Sequence, residues 1–286
     1  KMIQNVYESF LHLDEDSCER HWKKIKEELE DIFKNKTCTD LLIYMNKNEI
    51  TAGFCPISFS IVTDEKDSEI NRCHINAPFL SYYNDDLYES VSTRESNNDI
   101  KINKSKNRNS KSEQEEEQEE EQEEEERQEE EYKKEFNNRF KMFVSTVFEL
   151  AFGKDERDHE RFDPQEVIHV EKEMLDAMNS YDPSVKEAED GYNIVTSKDA
   201  REKYNLNWDE LTKGLGFKNV PRFFITDNMN YLHKITGILE ENWNSKKWQT
   251  YFYYCFFKQM MQFHRSWRVI YFDFFGKFVK GQSTDR

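Results

Sequence analysis

The sequence predicts a mainly α-helical fold, a multi-helix lobe with one small β-hairpin, and three observations predict it. Trp243 to Gly281 gathers over a third of the chain's Phe, Tyr and Trp, with Phe252, Phe256, Met260, Phe263 and Trp267 recurring at helical spacing and Tyr253, Phe257 and Met261 on the adjacent face. Several other stretches carry apolar stripes of period 3.6. Period-two alternation is confined to Phe54–Val62 and, more weakly, Ile70–Ile75, separated by the polar turn Thr63 to Glu69, which together read as the hairpin.

The aromatic stretch sets the architecture. No Gly or Pro interrupts Trp248 to Trp267, so one helix of about five turns is expected there. A helix apolar over most of its girth must be sheathed by others. Lys258, Gln259, His264 and Arg265 interrupt it too often, and it is too short, for a membrane span.

The remaining elements follow in order. Val6, Phe10 and Leu13 share a stripe within Ile3–Leu13, and Trp22, Ile25, Leu29, Ile32 and Phe33 form a second after the break at Asp14–Ser17. Thr39 or Asp40 is expected to cap a short helix through Leu41, Leu42 and Met45. Phe136, Phe140, Phe143, Val144, Val147, Phe148 and Ala151 make a broad apolar face that Gly153 ends. Asp163-Pro164 opens a helix with Val167, Val170, Met174 and Met178 on one side. Tyr192–Ser197 reads as a link, with Ser197 capping Lys198–Tyr204. Asn207 or Trp208 begins a short helix closed by Gly216, Val220–Ile225 is extended, and Asn228–Leu239 is helical through Tyr231, Ile235 and Ile238.

Charge is concentrated rather than spread. Of the net −17, Glu113–Glu131 alone contributes −13, from 14 Glu and one Arg. The imbalance therefore marks one acidic tract, a solvated linker or helix extension, and does not argue for a cationic partner. Residues 90–131 read as a low-complexity insertion in an otherwise single lobe spanning 1–286. Ser90–Lys111 is Ser-, Asn- and Lys-rich with almost no apolar content, a disordered composition. The Glu/Gln part has high helix propensity and would extend the next helix backwards. Its preceding basic residues, Lys101, Lys104, Lys106, Arg108 and Lys111, lack interleaved aromatics and are followed by the Glu run, which excludes a nucleic-acid reading.

Residue chemistry yields no catalytic, cofactor-binding or metal-ligating site. His159-Glu160 begins like the zinc motif HExxH but continues Arg161-Phe162-Asp163, so the second His is missing. Glu171 stands two residues from His169, on the wrong helical face to share a ligand. His12, His21, His74, His233 and His264 are dispersed. Five cysteines show no CxxC spacing; two bridges plus one thiol, or five thiols, fit equally. Eight glycines form no phosphate loop, and no GxSxG occurs.

One family has this order of segments. Asn5–Phe10 with Asp14, the strand Pro56–Ile61 to Asp64, Asn76-Ala77-Pro78 to Tyr82-Tyr83, Phe143–Gly153, Val167–Leu175, Tyr192-Asn193, Asn207-Trp208, Tyr231-Leu232, and Trp248–Tyr251 running to Phe272–Lys277 and Gly281 resemble, collinearly, the non-catalytic amino-terminal helical region of the neprilysin/endothelin-converting-enzyme family of zinc metallopeptidases. The insertion at 90–131 departs from that pattern in a loop, where length costs little. The resemblance implies a lobe that caps a closed chamber and admits small peptides. It implies a catalytic lobe of the same protein, carrying HExxH and zinc, as its partner, and a membrane-anchored or secretory setting for the parent. This chain, lacking HExxH, is expected to be inactive alone and to make no nucleic-acid or membrane contact of its own. Lys1 is not a natural start, and the end at Arg286 matches a lobe boundary, so a parent metalloendopeptidase is expected. The alternative is a catalytically inactive, peptidase-derived scaffold or interaction protein.

Overall fold

The computed structural model describes residues 15–81, 113–153 and 162–284. The expected helix at Ile3–Leu13, the Ser90–Lys111 stretch and His159-Glu160 lie outside them. The chain divides into two compact units, residues 1–81 with 144–286, and residues 82–143.

Helices dominate: α1 (Glu15–Asn35), α2 (Cys38–Lys47), α3 (Glu113–Phe152), α4 (Gln165–Met178), α5 (Ser197–Tyr204), α6 (Trp208–Gly214), α7 (Met229–Asn242), α8 (Lys246–Met260) and α9 (Arg265–Tyr271). Short 3-10 turns occupy Ala52–Phe54 and Met261–Phe263, and a wider π-helical coil runs through Phe272–Val279. The Glu/Gln tract extends the next helix backwards as expected, with Glu113–Glu131 forming the amino-terminal part of α3. Glu and Gln are strong helix formers. Ion pairs one turn apart, Glu129 to Lys133 and Glu135 to Arg139, both 2.7 Å, bind the helix surface where the tract ends.

In the larger unit, α8 is the axis. From Thr250 to Met260 every residue is buried. Three neighbours sheathe it with rings. Trp22 and Phe33 of α1 meet Phe257 at 4.9 Å and Tyr253 at 5.7 Å. Phe152, at the end of α3, and Phe162 meet Tyr253 edge-on at 5.3 and 5.1 Å. Tyr44 of α2 lies 5.2 Å from Phe256. Each fully buried Phe contributes about 1.5–3 kcal/mol of transfer free energy, and the edge-to-face contacts add to it. Helix α4 packs along the same axis.

The expected single helix to Trp267 breaks after Met260. Met261–Phe263 tightens to 3-10, and His264 turns extended and caps α9, its ring accepting the Trp267 amide. Its imidazole also stacks on Trp267 at 3.9 Å. Of the expected stripe only Phe263, at the corner, drops out at 37% exposed, while Met260 and Trp267 stay buried at 4% and 7%.

Local signals place the other helices with small corrections. Thr37, not Thr39 or Asp40, caps α2 in a capping box with Asp40, whose carboxylate accepts the Thr37 amide at 2.9 Å. Thr196, not Ser197, caps α5; α6 and α7 begin where expected, capped by the side chains of Asn207 and Asn228. Gly153 follows α3 at φ 81°. The missing Cβ of Gly214 lets α6 approach the Ile43 side chain of α2.

The hairpin is shifted and its turn tighter than expected: β1 (Ser58–Asp64) starts after the expected Phe54, which lies in the 3-10 turn, while β2 (Asp67–Asn76) runs longer, and the two flank Glu65-Lys66. Two stretches taken as a link and an extended segment, Asn193–Thr196 (β3) and Phe223–Thr226 (β4), join it. The resulting four-stranded sheet has order β1-β2-β4-β3, with β2 and β4 parallel and the outer pairs antiparallel. Phe54 and Pro56, just before β1, accept hydrogen bonds from Tyr251 and Tyr231 at 2.9 and 2.6 Å, which ties the sheet to α8 and α7.

Truncating the axis separates its buried run from its corner. Phe256→Ala is expected to lose about 3–5 kcal/mol in chemical unfolding, and Phe263→Ala less than about 1 kcal/mol; equal losses would mean that Phe263 is packed as deeply as Phe256.

Candidate functional site

Three places gather polar chemistry in the larger unit. The first is a buried charged cluster against α8. Glu171 of α4, 1% exposed, accepts from the Ser81 hydroxyl at 2.7 Å and the Ser81 amide at 3.3 Å. Ser81 Oγ also lies 3.1 Å from Tyr254 OH and accepts from Lys258 Nζ at 3.2 Å. Lys258, 2% exposed, sits 4.2 Å over the Phe54 ring and 4.9 Å from the Tyr254 ring. Burial drives the Lys258 amine below its ordinary pKa, opposed by the Glu171 charge.

Sequence reasoning passed over this cluster, although its signals were present. Glu171 occupies a position of the Val167–Val170–Met174 stripe, and Lys258 interrupts an all-apolar helix. Ser81 and Lys258 in hydrogen-bond reach resemble a nucleophile and its base. The geometry does not support that chemistry. Ser81 Oγ is already engaged by three side chains, and Ser81 is 7% exposed, so no substrate carbonyl reaches it. The cluster is a structural tie that joins the segment after β2, α4 and α8 through one hydroxyl.

The second place is the hairpin end. Asp64, 4% exposed, accepts from Arg72 Nε at 2.7 Å, Tyr192 OH at 2.9 Å and the Lys66 amide at 2.8 Å. The hydrogen bond from Arg72, with those from Lys66 and Tyr192, holds its carboxyl down at about 2. Lys66 bridges to Asp190 at 2.9 Å and lies 4.1 Å over the Tyr192 ring. These contacts fix the turn to the 182–192 segment.

The third is a cavity of about 300 Å³ among the starts of α2 and α6 and the end of α7, lined by Cys38, Leu42, Asn205, Leu239, Glu240 and Trp243. Burial pushes the Cys38 thiol up to about 12, so it is protonated and no thiolate nucleophile at neutral pH. All five cysteines are free thiols, which decides between the two cysteine readings.

The described histidines stay dispersed. His169 reaches Glu166 at 3.1 Å on an exposed face, one turn away, with no third donor. Among the described residues no group of three His, Cys, Asp or Glu side chains is arranged to hold a metal ion, and none of them fits a zinc site. Among the same residues no helix is long and apolar enough to cross a membrane.

A family model described as peptidase family M13, covering its amino-terminal part, matches residues 1–286. The chain belongs to peptidase family M13. Two solved structures share its fold, both of the Mycobacterium tuberculosis zinc metalloprotease Zmp1. The cryo-EM structure of the open state superposes with a TM-score of 0.62 and the crystal structure of an inhibitor complex with 0.66, each at 18% identity over 98% of this chain. The M13 chain described here spans only 37% and 36% of those two structures. No curated protein matches it. The resemblance read from the collinear motifs and the mainly helical architecture are both borne out; the isolated hairpin is enlarged to a four-stranded sheet.

The two polar clusters give separate expectations. Glu171→Ala leaves the Lys258 amine without its counter-charge and is expected to cost about 3–5 kcal/mol. Lys258→Met costs less, because Ser81 still gives Glu171 two donors; paired unfolding curves measure the asymmetry. For Asp64 the folded pKa is depressed, so its stabilisation is present above the ordinary 3.8 and is lost as pH falls through about 2. Asp64→Asn is expected to flatten the fall of the unfolding midpoint across that interval.

Proposed function

We propose that this chain is the chamber-capping lobe of a neprilysin-like zinc metalloendopeptidase that cleaves small peptides, with the catalytic lobe lying outside these residues. The observation that carries the reading is the match of the whole chain to the amino-terminal part of peptidase family M13, joined to a fold shared with about a third of a zinc metalloprotease. The physical character of the larger unit supports it. A lobe that limits entry by size must hold its shape without a ligand, and a core of interlocked rings around α8, close-packed like other protein interiors, resists deformation. Zinc and its general base would belong to the partner lobe. This lobe's contribution would be exclusion of water and of folded substrates from the reacting bond.

The test pairs this chain with the catalytic lobe of the same protein. The pair is expected to bind one zinc and to cleave a quenched peptide of about ten residues, while a folded protein carrying the same sequence survives and this chain alone leaves the peptide intact. A zinc-free pair that cleaves nothing would replace the proposal with the scaffold reading.

A further inference from the structure

Strand β1 is an edge of the sheet, and its outer side is only partly closed. The side-chain amide of Asn46 donates to the Ile57 carbonyl at 2.9 Å and accepts the Phe59 amide at 2.8 Å, pairing with the strand as a neighbouring backbone would. That bond fixes which groups point outward. In an antiparallel ladder the amide and carbonyl of one residue face the same way and alternate along the strand. Phe59, Ile61 and Thr63 therefore direct their backbone groups away from β2, and Ser58, Ser60 and Val62 direct theirs toward it. Asn46 occupies the Phe59 amide. Among the described residues nothing bonds the outward groups of Ile61 and Thr63.

The surroundings specify an occupant. Ile61 is 55% exposed and shares a face with Phe59, which packs on Trp208 and Phe217 at 6.0 and 5.8 Å. The strand has no Lys, Arg or Pro, the residues that usually protect an edge. Beyond Thr63 the exposed carboxylates of Glu65, Asp67 and Glu69 form no ion pair among the described residues, whereas Lys66 and Arg72 are taken by Asp190 and Asp64. A second copy of β1 would bring no cation to them, since Ser58–Asp64 holds none. The other edge strand, β3, has four residues against seven in β1.

We infer that the outer edge of β1 binds an extended peptide by strand addition, with its end at Asn46, an apolar side chain over Ile61, and a basic residue against Glu65, Asp67 and Glu69. This goes beyond the capping role and needs no catalytic lobe. Main-chain bonds supply affinity and the carboxylates supply sign selectivity.

The test is fluorescence anisotropy on the full chain with a rhodamine-labelled hexapeptide of alternating threonine and valine ending in two lysines. Saturable binding is expected. It should weaken about tenfold when the central amides are N-methylated, as two lost hydrogen bonds require, and by a similar factor when glutamates replace the lysines. Ile61→Pro should abolish binding, and Ile61→Lys, at an exposed position that leaves the fold intact, should weaken it at least tenfold. Glu65→Gln, Asp67→Asn and Glu69→Gln combined should bind the lysine and glutamate peptides alike. The inference is overturned by absence of saturable binding, by equal binding of the N-methylated peptide, or by a concentration-dependent dimer that Ile61→Lys dissolves, which would make a second copy the occupant.

Discussion

The burial of α8 on every side is the constraint from which the rest of the larger unit follows. A helix that presents Tyr253, Phe256 and Phe257 to different neighbours leaves no face for water. It can persist only if α1, α2, the end of α3 and α4 arrive together. This explains why the covering elements carry their largest side chains at the contact. Trp22, Phe33, Tyr44, Phe152 and Phe162 each meet the axis ring to ring. Edge-to-face packing of this kind has directional preferences that aliphatic packing lacks, so it fixes the rotation of each helix as well as its distance.

Polar groups in such a core persist by being tied to each other. Lys258 and Glu171 are drawn into the dry interior by the helices that bear them, and the Ser81 hydroxyl lies between them as donor to one and acceptor from the other. The cost of two desolvated charges is set against these bonds and against the Phe54 and Tyr254 rings beside the amine. The tie fixes a register: α4, α8 and the segment leaving β2 meet with one alignment in which all partners are satisfied. At the hairpin end Asp64 plays a comparable part nearer the surface, with Arg72 and Tyr192.

How far the sequence revealed this depends on the range of the interaction. The α1 stripe at Trp22, Ile25, Leu29, Ile32 and Phe33 is buried throughout, because a periodic apolar face needs a core of any kind. The starts of α6 and α7 were readable because their caps, Asn207 and Asn228, act within three residues. The break after Met260 was not, because it rests on the His264 side chain turning back to its own backbone in an otherwise unbroken aromatic run. Strand β3 was read as a link and β4 only as an extended segment, because four residues carry too little periodicity and the pairing of β4 with β2 and β3 is long-range. The buried cluster was legible only as misfits, an acid in the stripe of α4 and a base in α8; nothing local showed that Ser81 would join them. Membership of peptidase family M13 was legible because it rests on the order of many weak motifs, which survives at 18% identity to the solved structures that share the fold.

The parallel pairing of β2 with β4, together with the Tyr251 and Tyr231 hydroxyls bonded just ahead of β1, has a consequence for synthesis on the ribosome. The hairpin and the apolar Phe54–Ile57 segment emerge early, while their permanent neighbours, β4, α7 and α8, are encoded far downstream. At ~5–20 residues per second that interval is on the order of ten seconds or more. Throughout it, a short ribbon with one sticky flank waits beside a nascent polypeptide until the aromatic axis arrives.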